Sequence, residues 1–186
     1  VSGVDGSFIP PVAVTDAQGR ARTTFHSGTS SGTAIVKAQS SGIISQAQSI
    51  TVEGGPPVQL SFRLSMLRMG DPLPKLNFPG AFPASRAQIG IAQAQVNDRY
   101  GNPAKPRTRV DFSSNAGSVQ GTVYTDNSGL AAAGWYGGVP IPPGGNARIL
   151  AATIGESAQP VSDSVDVTYS GQALINGGLR SGILFH

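Results

Sequence analysis

The residue types that most often carry catalysis are scarce in this sequence. Its 186 residues include two histidines, His26 and His186, and no cysteine. Without cysteine, a disulfide framework, a thiolate metal site and a cysteine nucleophile are excluded. The sequence also has no Gly-x-Ser-x-Gly elbow, no His-Glu-x-x-His pair and no phosphate-cradling Gly-Lys-Ser loop. We therefore expect no enzymatic activity and no catalytic residue.

Four aspartates stand where strands are expected to end, and carboxylates gathered there could bind Ca²⁺. They are Asp16, Asp98, Asp126 and Asp163. Ca²⁺ takes about six to eight oxygen ligands. An aspartate that precedes a glycine also caps its own turn by accepting a backbone hydrogen bond. Because the spacing does not match an EF-hand loop, we favour turn capping, with Ca²⁺ as the weaker alternative. No metal site and no cofactor is predicted.

The largest aromatic pair is Trp135 and Tyr136. Exposed rings of this kind can stack on a sugar, so both are candidate ligand-stacking residues for a carbohydrate or a host receptor. Phe25 occupies the place of Trp135 in an internal repeat described below. That correspondence favours the alternative, in which one ring points into the core and the other packs on a turn.

Two apolar segments, residues 67–86 and the tail 172–186, stand apart from the remaining pattern. Each could fold back on its own domain, or it could contact a neighbouring chain, since extended exposed apolar surface usually marks an interface. The candidate interface residues are Leu73, Leu76, Phe78, Phe82, Leu174, Ile175, Ile183, Leu184 and Phe185.

Short runs of alternating apolar and polar residues predict β-strands, each with one buried and one exposed face. Helical periodicity is not found, and 25 glycines and 14 prolines supply frequent turns. The pattern predicts an all-β sandwich or barrel. The inward-facing residues of the clearest runs are expected to be Leu60, Phe62, Leu64, Met66, Ala92, Ala94, Val96, Val110, Phe112, Val165, Val167 and Tyr169.

Charge and hydropathy argue against two classes of partner, nucleic acid and the membrane interior. Only 12% of the residues are charged, the net charge is +3, and the basic residues are scattered. Proteins that bind nucleic acid usually cluster Lys and Arg on one face, so no nucleic-acid partner is predicted. There is no apolar run of about 18 residues, so no membrane insertion is predicted.

The chain repeats itself, which indicates two copies of one structural unit. Residues 15–21, followed by Phe25, match residues 125–131, followed by Trp135, at an offset of 110. Residues 34–38 align with 148–152, and residues 50–52 align with 165–167. The second copy begins near Pro56, so the first copy is expected to lack its front half.

Four motifs follow one another in the second copy. They are Val96–Pro103 (Val-x-Asp-x-x-Gly-Asn-Pro), Val110–Gly117, Thr125–Ala131 and Ala147–Ala152. In this order they resemble the bacterial immunoglobulin-like repeats of the invasin and intimin type. The resemblance covers about 56–171 in full and 12–53 as a C-terminal half. It implies an immunoglobulin-like β-sandwich, stacked in a rod on or outside a bacterial cell as a stalk, spacer or adhesin.

These observations predict three parts: residues 1–55 as the C-terminal half of a first immunoglobulin-like domain, residues 56–171 as a complete β-sandwich, and residues 172–186 as an apolar tail. Half a sandwich exposes its inner face and an unpaired edge, which invites another strand. We therefore expect a structural module of a bacterial surface or an extracellular fibre, held together by strand pairing between subunits. The alternatives are an adhesin or carbohydrate-binding module, and an accessory domain of a larger secreted protein.

Overall fold

β-Strands make up nearly all of the regular structure. The computed structural model describes residues 2–69, 77–78, 88–138 and 145–169. Short 3-10 turns lie at Gln59–Ser61 and Glu156–Ala158. The strands form several sheets, in which neighbouring strands run antiparallel almost throughout. The predicted all-β sandwich class is confirmed.

Residues 2–53, called here the first unit, contain seven short strands. A central sheet has the order β1-β4-β7, and two hairpins, β2-β3 and β5-β6, accompany it. The bounds are β1 Ser2–Gly3, β2 Gly6–Ile9, β3 Thr24–Ser27, β4 Gly32–Val36, β5 Gln39–Ser40, β6 Ile43–Ile44 and β7 Gln48–Val52.

The described residues from 56 to 169, called here the second unit, contain longer strands in two sheets. One sheet has the order β12-β14-β10-β8, and the other has the order β13-β11-β15-β16-β9. Only the β16-β9 pair is parallel. The bounds are β8 Phe62–Arg68, β9 Asn77–Phe78, β10 Gln88–Val96, β11 Arg109–Ser114, β12 Ser118–Val119, β13 Thr122–Tyr124, β14 Leu130–Tyr136, β15 Asn146–Ile154 and β16 Pro160–Tyr169.

The core lies between the two sheets of the second unit. Alternate residues of β10 are buried, with Ala92, Ala94 and Val96 fully inaccessible to solvent. Burying a large apolar side chain contributes about 1.5–3 kcal/mol, so this one core accounts for most of the favourable burial in the described chain. The largest fully buried side chains are Trp135, Phe62, Met66, Ile149, Val96, Val110 and Val167.

Among the predicted inward-facing residues whose side chains are described, most are buried, with one clear exception; the side chain of Tyr169 lies outside the described part. Phe62, Leu64 and Met66 alternate into the core as expected. Leu60 is 84% exposed, because it lies in the 3-10 turn that precedes β8 and the alternation begins only at Phe62. Val165 is partly buried against the core.

The first unit has almost no core of its own. Ala34 is its one fully buried hydrophobic residue among those described, whereas Val12 is 82% exposed and Val14 is 92% exposed. Ile9, Ile43 and Ile44 also have more than half of their surface in water. This unit therefore gains little from apolar burial and offers a large apolar surface.

The strand pairing repeats between the two units. Ala34 pairs with Ile50 in the first unit, and Ile149 pairs with Val165 in the second. Each residue of the second pair lies 115 positions after its counterpart in the first pair. The sequence alignment that set Ala34 opposite Arg148 is wrong by one residue. Ala34 and Ile149 are both fully buried, so they occupy the same inward-facing position.

A turn is also repeated, at an offset of 110 residues. The backbone N–H of Asp16 donates to the carbonyl of Arg20, and the N–H of Gly19 donates back to Asp16, both at 2.9 Å. The turn that starts at Asp126 contains the corresponding two bonds. Gly19 and Gly129 have φ values of +73° and +75°, a conformation that favours glycine.

Candidate functional site: the junction between the two units

Asp98 is the centre of the contact between the units. Its side chain is buried, and its Oδ1 accepts hydrogen bonds from the backbone N–H groups of Tyr100 and Asn102 at 2.8 and 2.9 Å. Its Oδ2 accepts from the Gly55 N–H and from the Asn102 side-chain amide, both at 2.9 Å. Burial opposes ionisation of this carboxyl, but the bonds from Asn102, Gly55 and Tyr100 together lower its pKa.

Asn102 extends this arrangement into the first unit. Its Oδ1 accepts from the backbone N–H of Ser31 at 2.9 Å, and its Nδ2 donates to the carbonyl of Thr29 at 2.7 Å. The second proton of Nδ2 goes to Asp98. One side-chain amide thus bonds the backbone of the first unit and the Asp98 carboxylate of the second, and it pairs with the loop much as a neighbouring strand would.

Asp5 fixes the loop that Asn102 contacts. Its carboxylate accepts from the backbone N–H of Thr29 at 2.7 Å and from that of Ser30 at 2.8 Å. Its carbonyl accepts from the Gly28 N–H at 2.9 Å. The hydrogen bonds from Thr29 and Ser30 lower the pKa of Asp5 to about 2. The Thr29 carbonyl and the Ser31 N–H are then left facing Asn102.

The linker between the units packs closely against the second unit. A Cβ added to Gly54 would lie 1.9 Å from the carbonyl oxygen of Pro103, so only glycine fits there. Gly55 donates to Asp98, and Pro57 is buried. The Pro57 carbonyl accepts from the Glu156 N–H at 3.1 Å. The linker is therefore part of the contact.

Two exposed ion pairs flank the junction. Lys105 and Glu53 approach to 2.8 Å across the linker, and Arg99 contacts Glu156 through two hydrogen bonds. Exposed pairs of this kind contribute about 0–1 kcal/mol each. The hydrogen bonds of buried Asp98 and half-buried Asn102 are therefore the principal determinants of the junction.

The structure separates the aromatic pair predicted as a stacking platform. Trp135 is fully buried, and its Nε1 donates to the Ala116 carbonyl at 3.0 Å. Tyr136, the next residue in β14, lies on the opposite face of the sheet and is 37% exposed. Trp135 therefore lies in the core, as its match with Phe25 predicted. Of the two rings, only that of Tyr136 is exposed to solvent.

The predicted turn-capping role of the aspartates is confirmed for Asp16 and Asp126. Oδ1 of Asp16 accepts from the backbone of Gln18 and Arg20, and Oδ1 of Asp126 accepts from Ser128 and Leu130. Asp163 instead reaches across to the next strand, where its Oδ2 accepts from the Leu64 N–H at 2.8 Å. In the part of the chain that the structure describes, no three His, Asp or Glu side chains are grouped to hold a metal ion.

Most of the predicted interface residues lie outside the described residues. Phe78 is the exception, and its backbone pairs with Tyr169 in the parallel β9-β16 ladder. The role of these residues at an interface stays a prediction. The others are Leu73, Leu76, Phe82, Leu174, Ile175, Ile183, Leu184 and Phe185.

Sequence reasoning identified Asp98 as a turn cap but missed the role of Asn102 in the junction. The Gly101-Asn102-Pro103 triplet was the available signal, because it closes the turn that faces the preceding unit.

Comparisons with protein-family models, with curated proteins and with solved structures found no match. No helix within the described ranges is long and apolar enough to cross a membrane.

Proposed function

We propose that this chain is a non-catalytic structural module of a bacterial cell surface or an extracellular fibre. In this proposal, immunoglobulin-like units of the invasin and intimin type are stacked end to end, and strand pairing joins subunits. The observation that carries it is the Asn102 amide, which bonds the first unit at Thr29 and Ser31 while Asp98 holds it from the second.

The polar groups at the junction support a mechanical role. Asp5, Asp98 and Asn102 spend their hydrogen-bonding capacity on backbone groups and on each other. Asp98 is the buried charged group among them, and hydrogen bonds to such a group are worth about 1.5–3 kcal/mol each, more than an exposed ion pair. Such a contact resists bending between units, which is the property that a stalk or fibre needs.

Small-angle X-ray scattering on the full chain tests the stacking. We expect the wild-type curve to fit one fixed arrangement of the two units. Asn102→Ala removes the contacts with Thr29 and Ser31, so its curve should require a broader set of arrangements. Asn127→Ala, at an exposed turn position, is the matched control and should behave as wild type. A wild-type chain whose units already move independently would contradict the proposal.

Light scattering and negative-stain imaging test the pairing between subunits. Concentration-dependent growth into filaments supports a fibre. A stable monomer of 19.0 kDa at all concentrations would rule out self-assembly of this chain.

One observation favours the adhesin or carbohydrate-binding alternative. Tyr124 is 55% exposed and pairs with Arg109, whose guanidinium contacts Asp111 at 2.9 Å. An exposed ring beside charged hydrogen-bonding groups suits a sugar. Binding on a glycan array that Tyr124→Ala abolishes would support this function. The further alternative, an accessory domain of a larger secreted protein, is decided by the sequence of the parent gene.

A further inference from the structure

Strand β14 of the second unit is paired on both edges, by β12 and by β10, and runs for seven residues. The corresponding residues of the first unit are 20–26, yet β3 begins only at Thr24. Among the described residues, β3 pairs with β2 alone. Phe8 of β2 pairs with Phe25 as Val119 of β12 pairs with Trp135, so β2 takes the place of β12. In the described part of the first unit, the edge that β10 occupies in the second is therefore open.

A groove of about 390 Å³ lies between residues 21–23, the segment 8–13 that continues from β2, and residues 36–39 at the end of β4. Its walls include Ala21 and Thr23, which correspond to Ala131 and Ala133 of β14. Both alanines of β14 are fully buried in the sandwich, whereas Ala21 and Thr23 are exposed. An unpaired strand edge whose inward-facing residues are exposed is a surface to which a further strand can add.

The repeated turn shows what covers this surface in the second unit. A Cβ added to Gly129 would lie 2.5 Å from the Val96 carbonyl oxygen and 3.1 Å from Cα of Pro103. The end of β10 and the turn after it therefore pack on Gly129. Gly19 has nearly the same φ, but its added Cβ meets nothing within 4 Å. The two turns have the same shape, and only the second is covered.

We propose that residues 20–26 bind an antiparallel strand of the β10 type that ends in an Asp-x-x-Gly-Asn-Pro turn. The interface is the one already present between β10 and β14, repeated on the first unit. The inference deepens the proposed function, on which it rests, by specifying the chemistry of the partner strand.

The contacts of β10 define what the partner must offer. Ala92 and Ala94 pair with Ala133 and Ala131, so the inward-facing residues should be small and apolar. The Val96 N–H donates to the Gly129 carbonyl at 2.9 Å, and the partner should donate to Gly19 in the same way. Arg22 and Lys37 line the groove, which favours a strand without basic residues.

A synthetic peptide with the sequence of residues 88–103 tests the inference directly. Labelled with a fluorophore, it should bind the full wild-type chain, and nitrogen–proton NMR spectra should shift at residues 17–26. A peptide carrying Ala92→Lys and Ala94→Lys should bind at least about tenfold more weakly, because two positive charges would enter a groove lined by Arg22 and Lys37.

Variants of the chain provide the matched controls. Ala21→Asp should weaken peptide binding by about tenfold or more, whereas Ala17→Asp, on the outer side of the same turn, should not. The fluorescence of Trp135 verifies that each variant has a folded second unit, since it is the one tryptophan. If Ala21→Asp disturbs the first unit, Ala21→Gln, which adds bulk without charge, replaces it.

Three outcomes would overturn the inference. The first is no binding of the 88–103 peptide at millimolar concentration. The second is tighter binding of a peptide of residues 172–186, which would make the apolar tail the occupant. The third is self-association that Ala21→Asp abolishes without any peptide binding, which would make a whole second copy the occupant. None of these outcomes concerns the stacking of the two units, which the scattering experiment on Asn102→Ala tests separately.

Discussion

The carboxylate of Asp98 accepts a hydrogen bond of 2.9 Å from the side-chain amide of Asn102. This bond fixes the amide so that its oxygen faces the other unit, where it accepts from Ser31. A residue in one unit thus sets the orientation of a group that contacts the next. The first prediction follows from the charge of Asp98.

Asp98→Asn should destabilise the junction while leaving the strands of the second unit intact. If the amide nitrogen of the new side chain takes the place of Oδ2, the Gly55 N–H and the Asn102 amide would face a donor where they now have an acceptor. Leaving buried donors unsatisfied costs about 1–3 kcal/mol. Urea unfolding and scattering measure the stability and the spread of arrangements. Asp111→Asn, at an exposed ion pair, is the control and should cost much less stability than Asp98→Asn, because water screens the pair that it breaks. Equal behaviour of the two variants would contradict the central role of Asp98.

Gly54→Ala should prevent close approach of the linker to the second unit. The added Cβ would lie 1.9 Å from the Pro103 carbonyl oxygen, so backbone must shift. We expect NMR shift changes at residues 28–31 and 98–103 and a broader scattering profile. Gly121→Ala is the matched control, because its Cβ would meet nothing within 4 Å. Wild-type spectra for Gly54→Ala would show that the linker is not constrained.

Acid should loosen the junction before the sandwich core unfolds. The pKa of Asp5 falls from 3.8 to about 2 on folding, and that of Asp98 also falls below 3.8. A carboxyl with a lowered pKa stabilises the folded state above its unfolded pKa, and this contribution is lost as pH falls through the folded pKa. The loss should therefore lie below pH 3.8 and extend toward pH 2. Carboxyl carbon NMR titration measures both groups, and Asp5→Asn should remove part of the transition. Full retention of the 28–31 contacts at pH 2 would contradict it.

Trp135→Ala should destabilise the second unit by about 3–5 kcal/mol, because it leaves a large cavity in the core. Tyr136→Ala should cost much less, since the Tyr136 side chain is partly exposed. Urea denaturation followed by circular dichroism compares the two. Similar costs for both variants would show that the indole does not anchor the core.

Much of the second unit could be predicted from alternation, because its strands bury one face and expose the other. Phe62, Met66 and Val96 are buried as their spacing predicts. The shift of one residue in aligning Ala34 arose because the apolar run 34–36 fits two registers, and only burial against a sheet distinguishes them.

The junction could not be predicted, because it depends on pairs far apart in the chain. Ser31 and Asn102 are separated by 71 residues, and no local pattern links a loop N–H to a distant amide. Asp98 was predicted to cap a turn, and it does so for Tyr100 and Asn102. Its bond to Gly55 requires the linker to return over the turn, which sequence spacing does not encode.

The hydrogen bonds that Asn102 makes to the preceding unit go to main-chain atoms, the Thr29 carbonyl and the Ser31 N–H. Recognition of this kind is indifferent to the side chains of the upstream loop and depends only on its backbone course. Duplication of a whole unit in the gene would therefore lengthen the array without any new complementary mutation at the joint. Modules of divergent sequence can be exchanged in the same way, provided that the loop keeps its shape.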